Sequence, residues 1–459
     1  MAAAESVGKR EVVRPSDVPE PLMAYSPAIR AGGWVFVAGQ TASDFVHGIA
    51  PEAQVDPGSR YAADELERQA RYTFGNLGRT LRAAGCDLVD AARIYVWLAS
   101  PRPTYEEFLA GSSTTDVHVH SYLAAFNDAV PEPRPASTAM GIRRLLPGGT
   151  RIELDLIAIE PQAGVVKQGF GIPAGVPQPV AKYSPAVRIG DWVFLAGDLA
   201  TDFHGDFGRR EHLGDPSAIA PEARVNPYFW YGSSIEAQTD YLLAKLEKIA
   251  AAAGASLDRC VQADVYIGHP QDLVGIERVW RRWFPKDPPA RTVVPYCGLA
   301  ARGCRIEISM KLLANDSALR KETIETSDAP EPFLHEPQAV RAGDFLFLST
   351  QLPVDSAGRV PKELLREPAF PFYGEPPKLQ LRYMLKNVAS ICEAAGTSLD
   401  QLCQRQAFFA DFDDFPASME EWQAHFPVDP PASTAVELGA PLLAPGAHLL
   451  LNLVGYAPR

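Results

Sequence analysis

The run Pro288-Pro289-Ala290-Arg291-Thr292-Val293 sets one arginine on a predicted strand, beside proline and threonine. A guanidinium is a planar fork that matches a carboxylate at two points, and it is costly to bury without an anion. The chemistry this suggests is capture of a small carboxylate. The same slot recurs twice with the charge gone, as Arg134-Pro135-Ala136-Ser137-Thr138-Ala139 and as Pro430-Pro431-Ala432-Ser433-Thr434-Ala435. Neither Ser137 nor Ser433 has a GxSxG elbow or a companion histidine at catalytic spacing. They read as hydroxyls that satisfy nearby backbone or meet a neutral ligand, rather than as nucleophiles. The competing reading of Arg291 is a structural ion pair with Glu307.

Two further groups carry chemistry. His118 and His120 put two imidazoles on one face of a strand, but no third ligand stands near, so a polar loop is favoured over a metal site. Asp202, His204, Asp206, Glu211 and His212 crowd a long loop. That loop reads either as a lid over the Arg291 cleft, closed by Tyr228-Phe229-Trp230-Tyr231, or as a solvated insertion. The six cysteines (Cys86, Cys260, Cys297, Cys304, Cys392 and Cys403) form no CxxC pair and read as reduced, mostly buried thiols.

The elements that position these residues come from a chain of 459 residues, long enough for about three domains. Its apolar and charged fractions are those of a soluble globular protein. A formal net charge of −13 disfavours a nucleic-acid partner and requires a local positive group for any anionic substrate. The N-terminus has no apolar signal-peptide core, and no run approaches the ~18 apolar residues of a membrane span. The expectation is a cytoplasmic protein.

An internal repeat organises the whole chain. YSPAIRAGGWVFVAGQ, KYSPAVRIGDWVFLAGD and EPQAVRAGDFLFLSTQ align on Arg30, Arg188 and Arg341, which stand 158 and 153 residues apart. Each copy continues in one order. A tight glycine turn leads into an apolar strand. A loop and a helix marked by Gln69-x-x-Tyr72, Gln238-x-x-Tyr241 or Gln380-x-x-Tyr383 follow. The helix stops at Gly85, Gly254 or Gly396. A β-rich strand, a second helix and a closing hairpin of two strands complete the copy. This predicts an α/β (α+β) sandwich, a mixed sheet with two helices on one face. Strands such as WVFVAG are apolar on both sides, so the other face also needs cover. Three sheets packed about a pseudo-threefold axis would cover one another. The repeats are placed at residues 1–165, 166–318 and 319–459, with linkers near 162–178 and 315–331.

On these residues the chain resembles the YjgF/RidA (reactive intermediate imine deaminase) family, three times over. The resemblance rests on the YSPA-(I/V)-R-x-G start, the apolar strand ending in GQ, the AAG-x-(S/D)-L helix end and the PAR-T…RIEI hairpin. It implies the chorismate-mutase-like fold, with ligand clefts between neighbouring copies and the family's usual homotrimer fused here into one pseudo-trimeric polypeptide. It also implies a cofactor-independent enamine/imine deaminase, a hydrolase acting on a carboxylate-bearing small molecule.

Carried over, the carboxylate-binding arginine is Arg291. The tyrosine of the YSPA start is Tyr183 or Tyr25, with Glu336 in repeat 3. The water-holding carbonyl belongs to Val293. The last-strand acid aligns with Ser309, Asp155 and Asn452, and the preceding glutamate survives as Glu307 and Glu153. The expected site is thus Arg291 and Glu307 as catalytic groups, with Tyr183, Val293 and Ser309 lining the substrate, and no metal. Neither nucleic acid nor membrane is expected as a partner, and the chain is expected as a monomer or homodimer rather than an obligate homotrimer. The other readings are a non-catalytic binding or scaffold protein with degenerate sites, and a chorismatase-like hydrolase or lyase.

Overall fold

The structure, a computed structural model, describes residues 9–56, 58, 63–100, 120–179, 181–202, 219–226, 228, 232–301, 303–366, 369 and 375–459. Repeat 1 contains β1 (Glu11–Val13), β2 (Ala28–Ala31), β3 (Trp34–Thr41), α1 (Glu65–Ala83), β4 (Ala91–Ala99), α2 (His120–Ala129), β5 (Ala136–Ile142), β6 (Arg144–Leu145) and β7 (Ile152–Ile159). Repeat 2 contains β8 (Gln168–Phe170), β9 (Ala186–Ile189), β10 (Trp192–Leu199), α3 (Ser234–Ala252), β11 (Ala255–Ile267), α4 (Leu273–Trp283), β12 (Ala290–Val294) and β13 (Ile306–Ala314). Repeat 3 contains β14 (Lys321–Ile324), β15 (Ala339–Ala342), β16 (Phe345–Leu348), α5 (Pro376–Ala394), β17 (Leu402–Phe409), α6 (Phe415–His425), β18 (Ala432–Glu437) and β19 (Leu449–Tyr456).

The three sheets share one order. In repeat 1 it is β1-β2-β3-β7-β4-β5, with β4 and β5 parallel and the remaining neighbours antiparallel. The expected α+β fold of three mixed sheets is therefore present. Two features were not expected. The stretches read as linkers hold edge strands β8 and β14, too short and polar to stand out by periodicity. And β6 of repeat 1 leaves its own sheet to pair with β18 of repeat 3, through Leu145 opposite Val436 and Arg144 opposite Glu437.

Both faces of each sheet are covered, as their apolar strands require. In repeat 1 the outer face packs under α1 and α2, with Leu66, Phe74, Leu77, Leu81, Tyr122 and Phe126 buried against it. The inner faces of all three sheets meet in one core that includes Trp34, Phe36, Trp192, Phe194, Phe345 and Phe347. The Trp34 ring lies 4.5 Å from Phe345 and 4.9 Å from Trp192, centroid to centroid. Such aromatic pairs contribute about 0.5–1.5 kcal/mol each beyond the area they bury.

Local sequence sets the helix ends. Asp64 accepts a hydrogen bond from the N–H of Glu67, and Ser233 from that of Glu236, which caps α1 and α3. The glycine stops take left-handed φ of 83°, 75° and 74° at Gly85, Gly254 and Gly396. The repeated glutamine is a clip from helix to final strand. The Gln69 side chain accepts from Arg151 N–H and donates to Gly149 C=O, and Gln238 and Gln380 do the same at Arg305/Gly303 and His448/Gly446.

Candidate functional site: the seams between repeats

Each seam joins the Pro-Ala-x-Thr strand of one repeat to the start, first long strand and last strand of the next. Arg291, on β12, is fully buried at the seam between repeats 2 and 3. Its guanidinium lies 4.7 Å above the Trp280 ring. It donates to Glu277 of α4, and its Nε donates to Glu336 of repeat 3 at 3.0 Å. Burial pushes the Glu336 carboxyl up to about 7, although Arg291 pulls the other way. The ion-pair reading of Arg291 thus holds in kind, with Glu277 and Glu336 in place of Glu307. Val293 is buried beside it, and its N–H donates to Thr350 Oγ1 at 3.0 Å.

Tyr183, Glu307 and Ser309 do not join Arg291. They belong to the seam between repeats 1 and 2. A β-carbon at Gly197 would lie 2.2 Å from Glu307 Oε1 and 2.7 Å from Thr138 Oγ1 of repeat 1. Burial, then the nearby charges of Asp198 and Glu307, push the Tyr183 phenol well up. Ser309 accepts a hydrogen bond from Arg93 of repeat 1. The five residues expected in one cleft are divided between two, because a repeat contributes its two ends to different neighbours. Asp155 and Asn452 also lie outside the clefts, in a buried polar network between sheets. Asp155 accepts from Trp97 at 2.7 Å and Gln406 at 3.0 Å, and Asn452 donates to Asp264 at 3.1 Å. Burial pushes the Asp155 carboxyl up to about 6.

The seam between repeats 3 and 1 holds a residue that the sequence reading missed. Arg405, on β17, stands directly beside Ser433 of β18 in parallel register. Its Nη1 donates to Ser433 Oγ at 3.1 Å, and its guanidinium lies 4.2 Å above the ring of Trp422, the counterpart of Trp280. The neighbouring strand thus supplies a guanidinium over the same tryptophan position that Arg291 uses. Its surroundings differ. Met419 stands on α6 where α4 has Glu277, and Tyr25 stands where repeat 3 has Glu336. Arg405 Nη1 contacts the Met419 sulfur at 3.7 Å, while Nε and Nη2 have no partner among the described residues. The side chain is 1% exposed, and burial without a facing carboxylate pushes its guanidinium down to about 9. The signal was QRQAFF itself: an arginine inside a strand otherwise buried on both faces.

Arg405 lines a small cleft of about 40 Å³ that opens to solvent, with Ser433 from repeat 3 and Tyr25, Gly39, Thr41 and Glu153 from repeat 1. Glu153, on β7, is 5% exposed and accepts from the N–H of Ala435. Burial, then the nearby Asp155 charge, hold its carboxyl well above the usual range, which favours the protonated form. Gly39 lets the Glu153 carboxyl lie against its backbone, since a β-carbon there would be 1.9 Å from Glu153 Oε1 and would displace it. The arrangement combines a buried guanidinium and a buried carboxyl group in one cleft.

Among the described residues no group of three or more His, Cys, Asp or Glu is placed to hold a metal ion, and no helix is long and apolar enough to cross a membrane. His118, His204, Asp206, Glu211, His212, Phe229, Trp230 and Tyr231 lie outside the described residues, as does the side chain of His120. Tyr228 is 91% exposed.

Comparison with known proteins agrees with the repeat pattern. The family described as Endoribonuclease L-PSP matches residues 16–160, 221–313 and 326–449. A RutC family protein of Pyrococcus horikoshii is 34% identical over 119 residues, 26% of this chain and 85% of that protein. The 2-iminobutanoate/2-iminopropanoate deaminase of Bos taurus is 26% identical over 151 residues, 33% of this chain and 90% of that one. The crystal structure of RidA from an Antarctic Psychrobacter is 27% identical, with a TM-score of 0.25, and the match covers 29% of this chain and 98% of that one.

Proposed function

This chain belongs to the Endoribonuclease L-PSP family, the YjgF/RidA family, three times over, and on that premise we propose that the seam between repeats 3 and 1 is an imine deaminase site for a small carboxylate. The observation that carries the reading is the buried guanidinium of Arg405, two of whose nitrogens lack partners among the described residues, in one cleft with the buried carboxyl of Glu153. A buried cation without a counter-ion costs several kcal/mol, and an incoming carboxylate removes that cost.

Arg405 would take the carboxylate of a 2-imino acid, with the Tyr25 phenol and Ser433 hydroxyl beside it. Water adds to the imine carbon, forming a C–O bond while the nitrogen gains a proton from Glu153. Glu153 recovers a proton from the added water. Glu153 then passes a proton to the amine nitrogen and takes back the hydroxyl proton, so that the C–N bond breaks, ammonia leaves and the 2-oxo acid remains, with no change of oxidation state. General acid catalysis of this kind contributes about 10²–10⁴ in rate.

The test is ammonia release from 2-iminopropanoate generated in situ. The wild-type chain should accelerate release over buffer, and Arg405→Ala should not. A wild-type rate equal to that of buffer sinks the reading. So does a rate lost in Arg291→Ala but kept in Arg405→Ala. Binding of 2-oxo acids without ammonia release would favour a non-catalytic binding protein.

A further inference from the structure

We propose that Phe45 sets the substrate range of the Arg405 cleft, restricting it to monocarboxylates whose remaining substituent is short and apolar. The proposal rests on the Arg405 reading and deepens it. Phe45 lines the cavity from a turn that follows β3. It is held at φ 57°, a left-handed conformation that a bulky side chain adopts only when its surroundings enforce it. The enforcing contacts are on the turn. Phe45 N–H donates to Ser43 Oγ at 3.0 Å. Asp44 accepts from the N–H groups of Val46 and His47 at 2.9 and 2.7 Å, and pairs with the His47 ring at 2.7 Å. A bridge between Ser43 and Ile49 closes the base. The turn therefore presents the phenyl ring to the cavity at a cost in backbone strain, which marks a functional placement.

The cavity has one cation, and its other polar side chains are Tyr25, Thr41, Glu153 and Ser433. Met23, Phe45, Leu146, Phe415, Met419 and Ala435 make the apolar wall. One carboxylate satisfies Arg405. A second carboxylate would find no second cation in the lining, and an ammonium group would be repelled by Arg405. On this proposal Phe45, a lining residue, takes up the space that a long substituent would need.

Calorimetry with 2-oxobutanoate, 4-phenyl-2-oxobutanoate and 2-oxopentanedioate tests this. The wild-type chain should bind the first at least about thirtyfold more tightly than the other two, within the range by which pockets discriminate size and unpaired polarity. Phe45→Gly relieves the backbone strain. It should raise affinity for the phenyl acid by about tenfold or more, leave 2-oxobutanoate within about threefold and leave the diacid weak. Phe45→Leu, which keeps an apolar side chain, should fall between. A size ranking unaltered in both variants, with binding still abolished by Arg405→Ala, overturns the Phe45 assignment and leaves the cleft reading intact. If the wild-type chain binds none of the three acids, the cleft reading fails and this inference fails with it.

Discussion

The seam between repeats 2 and 3 and the seam between repeats 3 and 1 hold the same object, an arginine stacked on a tryptophan, in opposite electrostatic states. Arg291 meets Glu277 and Glu336. Arg405 meets Met419, Ser433 and a cavity. One guanidinium is ion-paired, and the other faces a cleft with no ion pair among the described residues. The difference lies in two neighbours, not in the arginine. A buried ion pair is weak evidence of function, whereas a buried charge that faces a cleft is a candidate for ligand binding.

Breaking each arginine should separate the two states most sharply. Arg291→Met leaves Glu277 and Glu336 without their cation and should cost about 3–5 kcal/mol of stability in denaturant unfolding, with carboxylate affinity within about threefold. Arg405→Met should do the reverse. Carboxylate binding should weaken by about 2–4 kcal/mol, while stability holds or rises, since a charge with no counter-ion is replaced by an apolar chain. If both variants lose stability and keep binding, the comparison is wrong.

Glu153→Gln tests the proton donor. Ammonia release should fall about a hundredfold or more with 2-oxo acid affinity little changed, and equal loss in both would make Glu153 a binding group. Met419→Glu sharpens the comparison from the other side by giving Arg405 the acid that Arg291 has. Titration calorimetry should show affinity down by about tenfold to a hundredfold. The pH dependence follows from Arg405. Its guanidinium, pushed down to about 9, is charged at neutral pH, so affinity should be flat there and fall as pH rises through that value. An affinity unchanged well above pH 9 would show that no such depression exists. The smallest effect belongs to Ser433→Ala, which removes one hydrogen bond to Arg405 and should cost about 1 kcal/mol of affinity.

The repeats, helix stops and hairpins were legible because each is a local pattern: apolar alternation, a glycine after a helix, a recurring YSPA-like start. The kind of chemistry was legible too, since an arginine in a buried strand calls for an anion. Its address was not. Aligning the Pro-Ala-x-Thr slots compares one strand with its counterparts, and by that measure Ser433 marks an empty site. The parallel neighbour β17 delivers Arg405 to the same place in space, and only strand register shows it. For the same reason Tyr183 and Glu307 were grouped with Arg291. They share a repeat, whereas a cleft is built from two. The pairing of β6 with β18 was hidden as well, being two residues long and between repeats.

Chain connectivity distinguishes the three seams. Covalent linkers tie repeat 1 to repeat 2 and repeat 2 to repeat 3, so parting either of those seams is limited by a tether. Repeats 3 and 1 are instead fastened by a clasp. Arg10 donates to Leu402 C=O at 2.8 Å, Arg14 pairs with Asp429 at 2.9 Å, Trp422 donates to Ala24 C=O at 3.0 Å, and β6 lies along β18. Met23 and Tyr25, next to that clasp, line the Arg405 cavity. The seam that holds Arg405 is therefore the one whose two walls are not joined directly by a linker. Ligand entry and local opening share one set of non-covalent contacts, so amide exchange at residues 23–26 should slow when the cavity is filled.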